Sequence, residues 1–239
     1  MPSSMPASSR WPWLLLPGRL ILFALFQAVF AAGYAAAGQA NAWDASAAWW
    51  PATVTLTNLV CLCLLARLYR AEGKRYWDIF RIERGTWKSD VLPLLATLLV
   101  AGPISMLPNS LLASALFNDP NAPMRLFLAP LPAVGVGVAL LLFPITQGLV
   151  ELPYYFRYIM PRLQTNPWLA WVLASLFLGI QHLTVPLRWN GPFLLWRGLM
   201  FLPFAFLVGL VLKWRPRLLP YLAVVHVLID AATSVFYVF

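Results

Sequence analysis

Seven apolar runs, at about 20–37, 50–68, 91–112, 131–156, 167–184, 193–212 and 218–238, leave this chain few ways to fold. Each approaches or exceeds the roughly 20 residues that an α-helix needs to cross a hydrocarbon core ~30 Å thick. Backbone in lipid must satisfy its hydrogen bonds internally, so runs of this length become helices. The expected fold is therefore all-α, a multi-pass transmembrane helical bundle of about seven spans. Composition agrees, with 61% hydrophobic and 10% charged residues against about 25% charged in a soluble domain. The third and fourth runs contain Pro103, Pro108, Pro132 and Pro144, which predicts kinks or breaks there.

The formal charge of +9 would suggest nucleic acid for a soluble chain. Here it follows the rule that cytoplasmic loops are basic, and no nucleic-acid partner is expected. The longest polar stretch carries Arg67, Arg70, Lys74, Arg75, Arg81, Arg84 and Lys88. Placing it inside also puts Arg10, Arg19, Arg157, Arg162, Lys213, Arg215 and Arg217 inside. Only Arg125, Arg188 and Arg197 fall outside, so 14 of the 17 basic residues obey one topology. The expectation is an integral protein of the plasma (inner) membrane, with the N-terminus cytoplasmic and the C-terminus external. Residues 1–19 form a cytoplasmic tail, and 20–239 form a single transmembrane domain embedded in the lipid bilayer. The first run exceeds the ~7–15-residue core of a secretory signal, so it is read as an uncleaved span. Trp11, Trp13, Trp49, Trp50, Trp168 and Trp214 sit near run ends, as interfacial belts require. Cys61 and Cys63 lie in an apolar run and are read as packing residues.

Four ionisable residues stand out against apolar surroundings: Glu151, His182, His226 and Asp230. A charge at membrane depth costs at least ~2.5–3.5 kcal/mol, which makes each a functional candidate. At ~1.5 Å per helical residue, Glu151 lies about 15 Å in from Pro161 and His182 about 22 Å in from Pro167. Counted from Leu218, His226 and Asp230 lie about 12 and 18 Å in, and their spacing of four puts them on one helix face. One layer of the membrane thus holds all four. A carboxylate with imidazoles can activate a water, and a second polar pair can stabilise an oxyanion. The same residues are open to two other readings, proton relay in a proton-coupled transporter and a divalent metal such as zinc held by Glu151, His182 and His226.

The order of these motifs over about 140–232 resembles the CAAX prenyl protease and bacteriocin-processing family of intramembrane proteases. Its first motif is E-E-x-x-x-R, and "ELPYYFRYIMPRL" matches the context from Glu151 to the closing Pro-Arg-Leu. The second, F-x-x-x-H, is similar to "LGIQH", with Leu178 at the Phe position. The third, H-x-x-x-N or H-x-x-x-D, is present as His226 and Asp230. The resemblance implies an intramembrane endopeptidase acting on a membrane-associated peptide or protein. It gives Glu151 and His182 the water-activating role, and His226 and Asp230 the oxyanion role. It also allows a non-catalytic membrane scaffold or bacteriocin self-immunity protein. Leu152 replaces the second Glu and Phe156 the Arg, while Arg157 comes one residue late.

Overall fold

The computed structural model describes residues 10–83 and 85–237. The polar tail Met1–Ser9, Arg84 of the basic stretch and residues 238–239 at the end of the seventh run lie outside the described residues. No strand occurs among the described residues, and seven helices are long and apolar enough to cross a membrane. They are α1 (Gly18–Ala36), α2 (Trp50–Ala71), α3 (Trp87–Leu116), α4 (Ala133–Arg162), α5 (Pro167–Thr184), α6 (Gly191–Trp214) and α7 (Pro216–Val235). Every apolar run of the sequence is one of them, with ends moved by a few residues.

Large apolar side chains face outward along these helices, among them Leu25, Leu92, Leu99 and Leu228. Such a surface fits a lipid solvent and would be an association hazard in water. The interior is built around α4, which packs on α2 along one side and on α7 along another. Helix α6 lies against α3 and α5, and α1 packs on α2 and on the last turn of α5.

The prolines act in two ways. Helix α3 runs unbroken through Pro93, Pro103 and Pro108, so the expected break is absent there. Helix α4 instead widens into π-turns at Val138–Leu142 and Pro153–Ile159. Proline removes the N–H that the carbonyl four residues upstream would accept, and each freed carbonyl needs another donor in lipid. For Pro153 that carbonyl is Leu149, which accepts the Tyr76 hydroxyl. For Pro161 it is Arg157, which accepts Tyr69 Oη at 3.0 Å and Arg162 Nη1 at 3.0 Å. Helix α6 breaks at Phe201, two residues before Pro203.

Three expectations need correction. Among the described residues, Trp11–Leu15 is helical and α1 already begins at Gly18, two residues before the expected start of the transmembrane domain at residue 20. Trp50 is buried, donating its indole N–H to the Phe127 carbonyl at 3.1 Å and stacking on the Phe127 ring. It is therefore a core residue, unlike the exposed Trp11, Trp13, Trp168 and Trp214. Arg19 and Arg197, counted as flanking charges on opposite sides, are both buried in the bundle.

Candidate functional site

The site begins with a close helix approach. A Cβ on Gly148 of α4 would meet the Ala223 carbonyl oxygen of α7 at 2.8 Å as well as the Val227 side chain. Glycine therefore lets the two backbones touch, as small residues do between membrane helices. One turn further along each helix, Glu151 faces His226, with Oε2 3.4 Å from Nε2. The same Nε2 lies 3.4 Å from Asp230 Oδ2, so the i,i+4 pair on α7 forms as its spacing requires. Oδ2 of Asp230 is buried without a hydrogen bond.

Glu151 is 3% exposed, and its other oxygen is fully engaged. Oε1 accepts Gln147 Nε2 and Gln181 Nε2, each at 2.7 Å. Arg19 Nη2 stands 3.7 Å from it. Both glutamines also turn their oxygens to Arg19, at 3.0 Å for Gln147 and 2.8 Å for Gln181. Asn58 accepts from Arg19 as well and donates to Gln147. Each glutamine thus bridges cation and anion, accepting from one and donating to the other, which fixes its amide orientation. Arg19 has 0% exposure, and Phe23 covers its guanidinium with ring centre 5.0 Å away. The carboxylate that has no basic neighbour in sequence takes its counter-ion from the first span.

His182 lies at the end of α5, in a 3₁₀ turn over Gln181–Thr184. Its Nδ1 is 3.0 Å from the Gly179 carbonyl; a carbonyl only accepts, so Nδ1 carries the proton and Nε2 holds a free lone pair in the neutral ring. The ring packs on Phe201 at 4.2 Å between centres. A cavity of about 490 Å³ joins these groups, lined by Glu151, His182, Arg197, His226 and Asp230 among mostly apolar residues. Arg197 donates Nε and Nη2 to the Val185 carbonyl at 3.0 and 2.6 Å. No carboxylate of the described residues pairs with it, so it sets a cation on the cavity wall.

The structure brings Glu151, His226 and Asp230 into direct contact and places His182 on the same cavity without an ion-pair contact to Glu151. The alternative metal set fails on this geometry. Among the described residues no group of three or more His, Cys, Asp or Glu could hold a metal ion. Glu151 Oε1 already faces Arg19 and two amides, and His182 stands apart from the Glu151–His226 contact. Leu152 and Phe156 are both buried in apolar core, with Phe156 against Gly209 of α6. Arg157 lines a different pocket and does not reach the site.

Sequence reasoning missed Arg19, Asn58, Gln147, Gln181 and Arg197. The amides carried a usable signal, since all three interrupt apolar runs and one of them, Gln181, directly precedes His182. Arg19 carried none, because a cation at the start of an apolar run looks like a flanking charge. Comparison of the chain with protein-family models, curated proteins and solved structures gave no match.

Proposed function

We propose that this chain is an intramembrane endopeptidase of the CAAX-protease-like type, cutting a peptide bond in a membrane-associated peptide or protein. The observation that carries the reading is the contact of Glu151 Oε2 with His226 at 3.4 Å, on a cavity that His182, Asp230 and Arg197 also line. Glu151 Oε2 takes a proton from a water, and the water oxygen adds to the scissile carbonyl carbon. His182, with its Nε2 lone pair, holds that water. The carbonyl oxygen becomes an oxyanion, which His226 stabilises by donating from Nε2 and Arg197 by its charge. Asp230 cannot donate while ionised, so it orients His226. Collapse of the intermediate breaks the C–N bond, and the proton passes from Glu151 to the leaving amine. The products are a carboxylate and an amine.

Leu152 and Phe156 support the reading as a structural exchange. Both members of the family's Glu–Arg pair are apolar here, and replacing a buried pair with packed apolar residues is often neutral. The basic end of the bundle faces the cytoplasm in this reading, by the split of charges between its two ends.

A second reading, a non-catalytic membrane scaffold, is favoured by one observation. Glu151 Oε1 is shared by two amides and Arg19, which is what a purely structural hub needs. The two readings separate in membranes of cells expressing wild type, Glu151→Gln or His182→Ala. Proteolysis predicts the same uncleaved precursors accumulating in both variants. His182→Ala is the cleaner arm, because its one hydrogen bond goes to a carbonyl of its own helix. Identical proteomes from all three would leave the scaffold.

A further inference from the structure

A second pocket, of about 340 Å³, opens where α4 ends, α5 begins and α6 meets α7. Phe156, Met160, Leu163 and Leu212 give it apolar walls, and Arg157 and Lys213 are its two charged members. Neither cation has a carboxylate within 4.0 Å among the described residues. Glu72, at the end of α2, is taken by Arg162, whose Nε and Nη2 reach its two oxygens at 2.6 Å each. Arg157 Nε is buried with no acceptor, a donor that is costly to leave unmade. Lys213 lines the pocket, and its Nζ sits 3.2 Å from the ring centre of Trp168 at the pocket's rim, an aromatic contact that leaves its charge unneutralised. Exposed Trp168 and Trp214 pack edge to face, 6.3 Å apart, which sets this end of the bundle at the depth of lipid headgroups.

Two like charges share a concave space that holds no anion of the protein's own, and an unmade guanidinium donor adjoins it. We infer that this pocket binds a phosphate group, presented by an anionic lipid headgroup or as free phosphate. Arg157 supplies geometric hydrogen bonding and Lys213 a point charge, the two usual ways of holding phosphate oxygens. Basic recesses between membrane helices are typical headgroup sites, and the apolar walls suit the glycerol and first acyl carbons. The site is separate from the Glu151 cavity, and the inference does not depend on catalysis.

The test is thermal melting of the full chain in an uncharged detergent, with added phosphatidylglycerol, phosphatidylcholine or inorganic phosphate. A saturable rise of several degrees is expected with phosphatidylglycerol and not with phosphatidylcholine. Inorganic phosphate giving the same rise identifies free phosphate as the source, and no rise with it identifies the lipid. The double variant Arg157→Gln, Lys213→Gln should lose the rise. Arg67→Gln, Arg70→Gln, which removes equal charge from exposed positions, should keep it. Loss in both doubles, or in neither, would overturn the site, as would no rise in wild type. Should the pocket double fail to fold, Lys213→Gln alone must weaken the response and Arg157→Lys must retain part of it. Unchanged responses in both singles would equally overturn it.

Discussion

Arg19 and Glu151 are two opposite charges at membrane depth that need each other more than either needs the membrane's edge. Breaking a buried pair by removing one partner typically costs ~3–5 kcal/mol, whereas removing both for apolar residues is often neutral. Arg19→Met should therefore destabilise the bundle by about that amount, and Arg19→Met with Glu151→Leu should recover more than half of it. Denaturant titration of the two singles and the double in detergent measures the coupling. A cost for Arg19→Met within ~0.5 kcal/mol, as at an ordinary surface position, would show that the pair does not hold the bundle. Glu151, His182, His226 and Asp230 were legible in the sequence, because ionisable groups stand out inside apolar runs. Arg19 was not, since it begins a run and reads as a flanking charge, and the amides signalled only that they interrupt apolar runs, not what they hold. Gln147 and Gln181 are neutral, and their importance comes from bridging two charges that are 132 residues apart in sequence (151 − 19).

At the scale of the helix, Gly148 decides how near α4 comes to α7, and so whether Glu151 and His226 meet. A Cβ there would press on the Ala223 backbone oxygen at 2.8 Å, and backbone cannot move aside as a flexible side chain can. Gly148→Ala should cost ~1–3 kcal/mol, the usual effect of overpacking, and should also lower cleavage. Melting and cleavage measured together check this, and an unchanged melting temperature would mean the helices are not packed at that point. A second element-scale link joins the end of α2 to the end of α4 through Glu72 and Arg162. The Arg162 guanidinium, by hydrogen bonding, holds the Glu72 carboxyl below its ordinary range. Its contribution is therefore complete above the ordinary carboxylate pKa of about 4.3 and fades as pH falls through the lower folded value. Glu72→Gln should melt below wild type at pH 7, with the gap closing in acid; a gap independent of pH would contradict the pairing. Helix positions were legible because bilayer thickness fixes their length. The π-turns of α4 were not, since a proline reveals a lost hydrogen bond but not whether a partner such as Tyr69 or Tyr76 will replace it.

The whole molecule separates its charges by end, with Glu72–Arg162 and Asp90–Arg217 at one end and Asp44–Arg188 and Asp119–Arg125 at the other. Seven spans require the loops after α2 and after α3 to lie on opposite sides. Reporter fusions after Glu83 and after Asn121 should report the cytoplasm and the exterior respectively, and one compartment for both would refute the arrangement. Within this frame the chain places two carboxylates, two imidazoles and a lone arginine around one cavity in the membrane interior, which is the arrangement that the hydrolytic reading explains. Peptide hydrolysis leaves a signature that neither a scaffold nor a transporter can produce, since one oxygen of the new C-terminal carboxylate comes from water. Membranes containing wild type or Glu151→Gln can be incubated in heavy-oxygen water and their peptides sequenced by mass spectrometry. The account predicts heavy oxygen in a defined set of new C-termini with wild type and none of that set with Glu151→Gln; the same labelled termini in both, or none in either, would contradict it.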